Sequence, residues 1–294
     1  MDSKFYARIL FSDIKRIGRS FPGVLGWSLC VILLGPSWCY GQENGGEPTP
    51  SRPWIMGQAG SFSEPIATDR PTFSLSPATI TKGRIQIETG YTFSFEKASP
   101  DVKTHNFPET LVRIGLTETT ELRVEWPTLT YIDNGQDMNG FNDLALGLKV
   151  QVLQQQGFRP RLSFVGRLSI PTGDKDFSSD RVDPLFRTIL TYALNERVGL
   201  FGTVNIGSPP SQGTRFVQVS SSLGLNAAIR DRLTGFVEYF GLYPRDVASG
   251  SANFLQTGVL YHLTYHLQLD ARVGGGLTHG SDDFLTGAGI SWRF

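Results

Sequence analysis

Cysteine is nearly absent from this 294-residue chain, which has only Cys30 and Cys39, both near the N-terminus. The rest of the chain can therefore form no disulfide, bind no metal through a thiolate and use no cysteine nucleophile. Neither sign of charge is in excess, with 27 basic and 27 acidic residues, which gives no indication of a nucleic-acid partner. Long apolar runs are also missing after residue 41, which excludes helices that span a membrane.

The first 41 residues have the pattern of a secretory signal. A basic leader, Lys4 to Arg19, precedes an apolar stretch at 24–35 that is too short for a comfortable transmembrane helix. We predict a signal peptide over residues 1–41, a disordered linker rich in proline and glycine over residues 42–66, and a folded domain over residues 67–294. An uncleaved membrane anchor is the alternative interpretation of the N-terminal stretch.

Apolar and polar residues alternate along most of the predicted domain. In Gly83–Phe95 and Leu144–Val152 the period is two over about ten residues, which is enough to cross a bilayer at a tilt. Twelve such strands can be traced, and the connections between them are alternately short and long. This pattern predicts an all-β fold: a transmembrane antiparallel up-and-down β-barrel of about 12 strands, with short periplasmic turns and longer external loops.

The last strand ends on an aromatic residue. Trp292 and Phe294 share one face of this strand, and the ending resembles the C-terminal signal of bacterial outer-membrane barrels. It implies a location in the bacterial outer membrane, contact with its lipid, and folding by the outer-membrane assembly machinery. The sequence leaves the oligomeric state open.

Charged residues fall on one face of the predicted strands. Turning an arginine or lysine of this face toward hydrocarbon would cost roughly 2–4 kcal/mol, so we expect the charged face to line the lumen. Strand spacing and tilt give a barrel about 24 Å across, and inward side chains leave a gap of about 12 Å, enough for a small solute. We expect ion pairs at Glu125 and Asp270. The candidate solute contacts are Glu88, Arg113, Arg123, Glu125, Lys149, Arg161, Arg167, Arg187, Asp270 and Arg272.

An ordered series of short motifs spans residues 67–294. Its members are Ala67–Thr72, Gly140–Leu144, Pro171–Asp174, Gly274–Gly276 and Asp282–Phe294. The series resembles the outer-membrane transporters grouped as "MetA-pathway of phenol degradation" proteins. This resemblance implies a barrel that passes small hydrophobic or aromatic compounds across the outer membrane.

Two segments allow a functional and a structural interpretation. Asp69-Arg70-Pro71 could plug or line the periplasmic mouth, but we favour an extended lead-in with Asp69 and Arg70 paired locally. The acidic residues of 174–183 could hold a calcium ion, but a solvated loop is favoured and no metal site is predicted.

Three functions remain to be compared. A channel that is not an enzyme and uses no cofactor is favoured. The first alternative is an outer-membrane lipase-like hydrolase built on His262, although this residue lies near the short-turn rim, the wrong end for such a site. The second alternative is a secreted, soluble β-sandwich that acts as a binding module.

Overall fold

The computed structural model describes residues 64–208, 217–244 and 250–294. The predicted signal peptide lies outside these ranges, and so does the predicted linker up to residue 63. The strands within them are β1 (Ile85–Glu96), β2 (Val102–Phe107), β3 (Thr110–Gly115), β4 (Thr120–Trp126), β5 (Leu129–Asp133), β6 (Asp137–Phe141), β7 (Leu144–Leu153), β8 (Arg161–Ile170), β9 (Asp183–Ala193), β10 (Val198–Gly207), β11 (Gln218–Arg230), β12 (Leu233–Pro244), β13 (Ala252–Thr264), β14 (Leu267–Gly276) and β15 (Phe284–Arg293).

The strands close into a barrel. The first strand, β1, pairs with the last, β15, antiparallel from Gln86 opposite Arg293 to Phe95 opposite Phe284. Three passes across the barrel wall each consist of two strands, namely β2 with β3, β4 with β5, and β6 with β7. The wall therefore has twelve antiparallel passes, which confirms the predicted barrel and rules out the soluble β-sandwich.

Breaks within three passes lie side by side in the wall. Pro108 separates β2 from β3 and Pro127 separates β4 from β5, because proline has no N–H to donate to the ladder. The third break falls at Asn142-Asp143, between β6 and β7. One of the long connections that the alternation predicts covers Asp133–Asn142, and this prediction is wrong, since β5 and β6 form a hairpin there with only 134–136 as its tip. Because β6 contains Asn and Gly, its sequence does not show the alternation of apolar and polar residues that indicates a strand.

The faces of the wall follow the predicted phase. On β7, Leu148 points outward with 44% of its surface exposed, whereas its neighbour Lys149 is wholly buried inside the barrel. Exposed large apolar side chains recur on the outer face of the other strands, which suits contact with hydrocarbon. In the described ranges no helix is long and apolar enough to cross a bilayer.

The interior is occupied by the chain that precedes β1. We call residues 66–80 the plug segment. Its Thr68 accepts a hydrogen bond from Gln268 of β14 at 2.7 Å, and its Pro77 carbonyl accepts one from Ser163 of β8 at 2.6 Å. These contacts reach strands that are far apart around the wall. The plug segment therefore crosses the bore, which the alternation of the strands alone predicts to be open.

We predict that the outer face depends on hydrocarbon. Leu223 lies midway along β11 with 62% of its surface exposed, so Leu223→Arg should lower the free energy of unfolding by about 2–4 kcal/mol. Urea unfolding of the barrel in phospholipid vesicles measures this loss. The control Leu223→Met keeps the side chain apolar and should change little; equal stability of the two variants would contradict a lipid-facing wall.

Candidate functional site

A single carboxylate of the plug segment gathers three cations from the wall. Asp69 lies 2.6 Å from Nη1 of Arg123, 3.1 Å from Nζ of Lys149 and 3.7 Å from Nη1 of Arg113. The side chains of all four residues are at most 4% exposed. Asp69 is thus the point at which β3, β4 and β7 are tied to the plug segment.

Two wall carboxylates complete this cluster. Arg113 lies 3.0 Å from Glu88 and 2.9 Å from Glu121, and Arg123 lies 2.8 Å from Glu121. With Asp69, three carboxylates balance three cations, as charges removed from water require. Burial by itself raises the pKa of Asp69, but the three cations outweigh burial and hold that pKa well below its ordinary value.

Luminal glutamates also hold the main chain of the plug segment. Each accepts hydrogen bonds from main-chain N–H groups at 2.8 to 3.0 Å, a charge-assisted and therefore strong interaction. The pairs are Glu88 with the N–H groups of Asp69 and Arg70, Glu121 with that of Ile80, and Glu238 with those of Phe73 and Ser74. The hydroxyl of Ser74 also contacts that of Ser222.

Arg70 forms its ion pairs with the wall and not with Asp69, so the favoured prediction of a local pair between Asp69 and Arg70 is wrong. Its guanidinium lies 3.1 Å from Glu109 and 3.6 Å from Asp270, and it donates to the carbonyl of Ala288 at 3.1 Å. On the same side, Arg272 donates to the carbonyl of Pro71 at 3.1 Å. The interpretation of Asp69-Arg70-Pro71 as a plug is therefore the one that the contacts support.

The ten candidate solute contacts divide into two groups. All of them lie on the luminal face of their strands, and six are engaged with the plug segment: Glu88, Arg113, Arg123, Lys149, Asp270 and Arg272. The other four do not contact it in the part of the chain that the structure describes: Glu125, Arg161, Arg167 and Arg187.

Three members of the second group, Glu125, Arg167 and Arg187, form a patch on the wall beside the plug segment. Arg167 of β8 donates to Glu125 of β4 at 2.7 Å, which is one of the two expected ion pairs. Half-buried Arg187 of β9 donates no hydrogen bond within the described residues. Arg161 lies apart, near the short-turn end of β8, and contacts Gln154 at 3.4 Å. Arg167 and Arg187 therefore share one adjacent carboxylate, that of Glu125, and the patch keeps one excess positive charge.

Sequence reasoning missed the opposite side of the lumen. Glu238, Phe240 and Leu242 alternate along the inner face of β12, in a strand whose pattern is mixed because both faces carry apolar residues. Phe240 stacks against Phe254 of β13 and against Phe73 of the plug segment, each with ring centroids 4.7 Å apart. The lone Glu238 in an otherwise apolar luminal row is the signal that could have indicated a partner inside the barrel.

Two of the sequence motifs bind one another. Asp143 accepts hydrogen bonds from the N–H groups of Thr172 and Gly173 at 3.1 and 2.9 Å, and Asp174 accepts one from Phe141 at 2.7 Å. A Cβ on Gly173 would lie 2.6 Å from the carbonyl of Phe141, so only glycine allows this approach. The motifs thus fasten the long loop 171–182 over the break between β6 and β7. Among the described residues no group of three or more potential ligands is arranged to hold a metal.

The remaining candidates lie at the short-turn rim. His262 Nε2 is 3.2 Å from the carbonyl oxygen of Ile66, so its ring faces the plug segment. Phe294 donates its N–H to Ile85 at 2.8 Å, and its ring lies 4.5 Å from that of Trp292. The role of Trp292 and Phe294 in assembly stays a prediction.

Comparison with known proteins places this barrel in a family. The family described as MetA-pathway of phenol degradation matches residues 68–294. The chain belongs to this family. Its match covers the plug segment from Thr68 as well as every strand of the barrel, and no curated protein matches the chain.

A solved outer-membrane channel supports the fold of this family member. An outer-membrane channel from Pseudomonas putida F1 has a TM-score of 0.59 at 12% identity, covering 77% of this chain and all of that one. The NanC and KdgM porins each have a TM-score of 0.47, at 9% and 7% identity, covering 71% of this chain and 100% and 99% of theirs. Together with the apolar outer wall, family and fold show a bacterial outer-membrane protein.

We predict that Asp69→Asn loosens the plug segment. Removing this carboxylate leaves the buried cluster with one uncompensated cation, which should cost about 3–5 kcal/mol. Single-channel conductance in planar bilayers should rise as the plug segment leaves its position. The control Asp231→Asn removes the same charge from an exposed turn and should leave conductance unchanged. Identical conductance of the two variants would contradict a plug held by Asp69.

The plug segment should also resist mild acid. Because the folded pKa of Asp69 is depressed, its contribution to stability is complete above the ordinary carboxyl pKa of about 3.9 and is lost only as the pH falls through the folded value. Conductance recorded at about pH 7 and about pH 5 should therefore agree. A reversible rise at pH 5 that is absent from Asp69→Asn would show that the carboxylate titrates earlier than its surroundings imply.

Proposed function

We propose that this protein is an outer-membrane channel for small solutes that pass along the luminal wall at Arg187. The observation that carries the proposal is the excess positive charge of Arg167 and Arg187 over the single carboxylate of Glu125. Half-buried Arg187 donates no hydrogen bond to the described residues, and a charged donor in that position needs water, so we infer that this part of the lumen is wet. A wet strip beside a fixed plug segment is a path for ions and small molecules.

The proposal extends to solutes with an apolar or aromatic part. The wall of β12 and β13 is apolar, unlike the cationic arginine patch, and presents Phe240, Leu242 and Phe254 to the interior. A lumen with one cationic and one aromatic side suits a small molecule with a ring and a polar or anionic group. The family's description, which refers to phenol degradation, points the same way.

The N-terminal arrangement follows from this proposal. A signal peptide over residues 1–41 would deliver the chain through the inner membrane, and the linker over 42–66 would remain on the periplasmic side, where the plug segment enters. Trp292 and Phe294 would be the signal for the assembly machinery. Residues 67–294 would then contain both the barrel and its plug.

A hydrolase receives no support from the contacts of His262. A nucleophilic site needs this imidazole within hydrogen-bond reach of a serine hydroxyl. Instead its Nε2 lies beside the carbonyl oxygen of Ile66. We therefore propose that the protein is not an enzyme.

Liposome swelling tests the channel and its cationic wall. Vesicles that contain the folded barrel should admit both arabinose and benzoate. Arg187→Gln should slow benzoate by roughly fivefold, the factor that corresponds to one unit-charge contact of about 1 kcal/mol in water, and should leave arabinose unchanged. Arg159→Gln removes the same charge from an exposed turn outside the lumen and serves as the control.

Two results would count against the proposal. Swelling no faster than that of protein-free vesicles, with either solute, would remove the channel. Equal benzoate rates for Arg187→Gln and Arg159→Gln would contradict a path along β9. The channel would then conduct through another part of the lumen.

A further inference from the structure

Three phenylalanine rings form a stack across the boundary between plug and wall. Phe73 of the plug segment lies parallel to Phe240 of β12, with ring planes 5° apart, and Phe240 lies parallel to Phe254 of β13, with planes 12° apart. Both centroid distances are 4.7 Å. The stack lies inside the barrel, where Leu242 and Leu285 extend the apolar surface around it.

A polar layer directly beside the stack sets its geometry. Glu238 and Gln256 are opposite one another on β12 and β13, two residues before Phe240 and two after Phe254. Gln256 donates to Glu238 at 2.7 Å, and Glu238 accepts the main-chain N–H of Phe73 at 2.8 Å. The backbone of Phe73 is therefore fixed by the polar layer, while its ring is carried by the aromatic layer.

Exposure differs along the stack. Phe240 and Phe254 are 6% and 4% exposed, so both are covered by their neighbours. Phe73, the end member, is only half-buried. Because main-chain hydrogen bonds already anchor this residue, the accessible part of its ring is not needed to hold the plug segment.

We propose that the Phe73 ring is the docking face for the planar ring of an aromatic solute, which joins the Phe73–Phe240–Phe254 stack as its next member. Parallel, offset rings attract one another beyond the area that they bury, and the attraction requires a planar partner. The inference deepens the proposed channel function, on which it rests, by assigning the aromatic selectivity to one residue of the plug segment. It makes the plug segment part of the solute path, not only an obstacle in it.

Binding can be measured without transport. Benzoate and cyclohexanecarboxylate have the same charge and a similar size, but only benzoate is planar, so attraction to luminal arginines affects them equally. We would record saturation-transfer difference NMR of each probe with the full chain in lipid nanodiscs. The wild type should bind benzoate more tightly by roughly two- to tenfold, the factor to which a stacking gain of this kind corresponds.

Substitutions at Phe73 then test the assignment. Phe73→Leu keeps an apolar side chain and both main-chain hydrogen bonds to Glu238, and should reduce the benzoate preference to near unity. Phe73→Trp offers a larger ring face and should restore or increase the preference. Phe201→Leu is the matched control, because Phe201 is a luminal ring that contacts Phe236 edge-on and stands outside the stack. Heat-dependent migration on a gel checks that each variant is folded.

Several outcomes would overturn the proposal. They are equal binding of the two probes to the wild type, a benzoate preference that survives or grows in Phe73→Leu, and a loss of preference in Phe201→Leu as large as that in Phe73→Leu. Failure of the channel itself would appear elsewhere, as vesicles that do not swell, and would leave the binding result intact.

Discussion

Charge neutrality inside the lumen is the constraint on which the structure depends. Arg113, Arg123 and Lys149 point away from lipid, as they must, but the two carboxylates that the wall offers them, Glu88 and Glu121, leave one positive charge unbalanced. Asp69 supplies the missing negative charge from a different part of the chain. The plug segment is therefore held in the bore by the same three cations that the sequence predicts as channel lining, because a buried cation without a partner is costly.

The barrel could be predicted from the sequence because lipid imposes a simple rule on every strand. Outward residues must be apolar, so alternation at Gly83–Phe95 or Leu144–Val152 gives both the strand and its phase. The plug could not be predicted in this way. Residues 66–80 contact the wall through main-chain groups and a few side chains, which imposes no period. A polar inner face is equally compatible with water or with a buried segment, so the luminal charges did not distinguish the two.

The contacts between the motifs Gly140–Leu144 and Pro171–Asp174 are a second feature that the sequence pattern does not predict. Asp143 precedes β7 and Asp174 lies in the long acidic loop before β9, yet each accepts a main-chain N–H group of the other's segment. Such contacts depend on the β6–β7 break, which the period-two pattern does not indicate because the wall there contains Asn and Gly. The motifs that identify the family are thus structural at this point, and they set the position of a long loop over the wall.

Anchoring through main-chain groups gives the plug segment an unusual freedom. Glu88, Glu121 and Glu238 accept N–H groups that any residue except proline supplies, so the wall places few demands on most side chains of the segment. Asp69 and Arg70 are the residues that the charge balance requires, because they pair with luminal charges of the wall. A side chain such as Phe73 can therefore change without dislodging the backbone that carries it. A barrel built on this principle can keep one wall and one anchor, and vary the surface that it presents to a solute through the segment inside it.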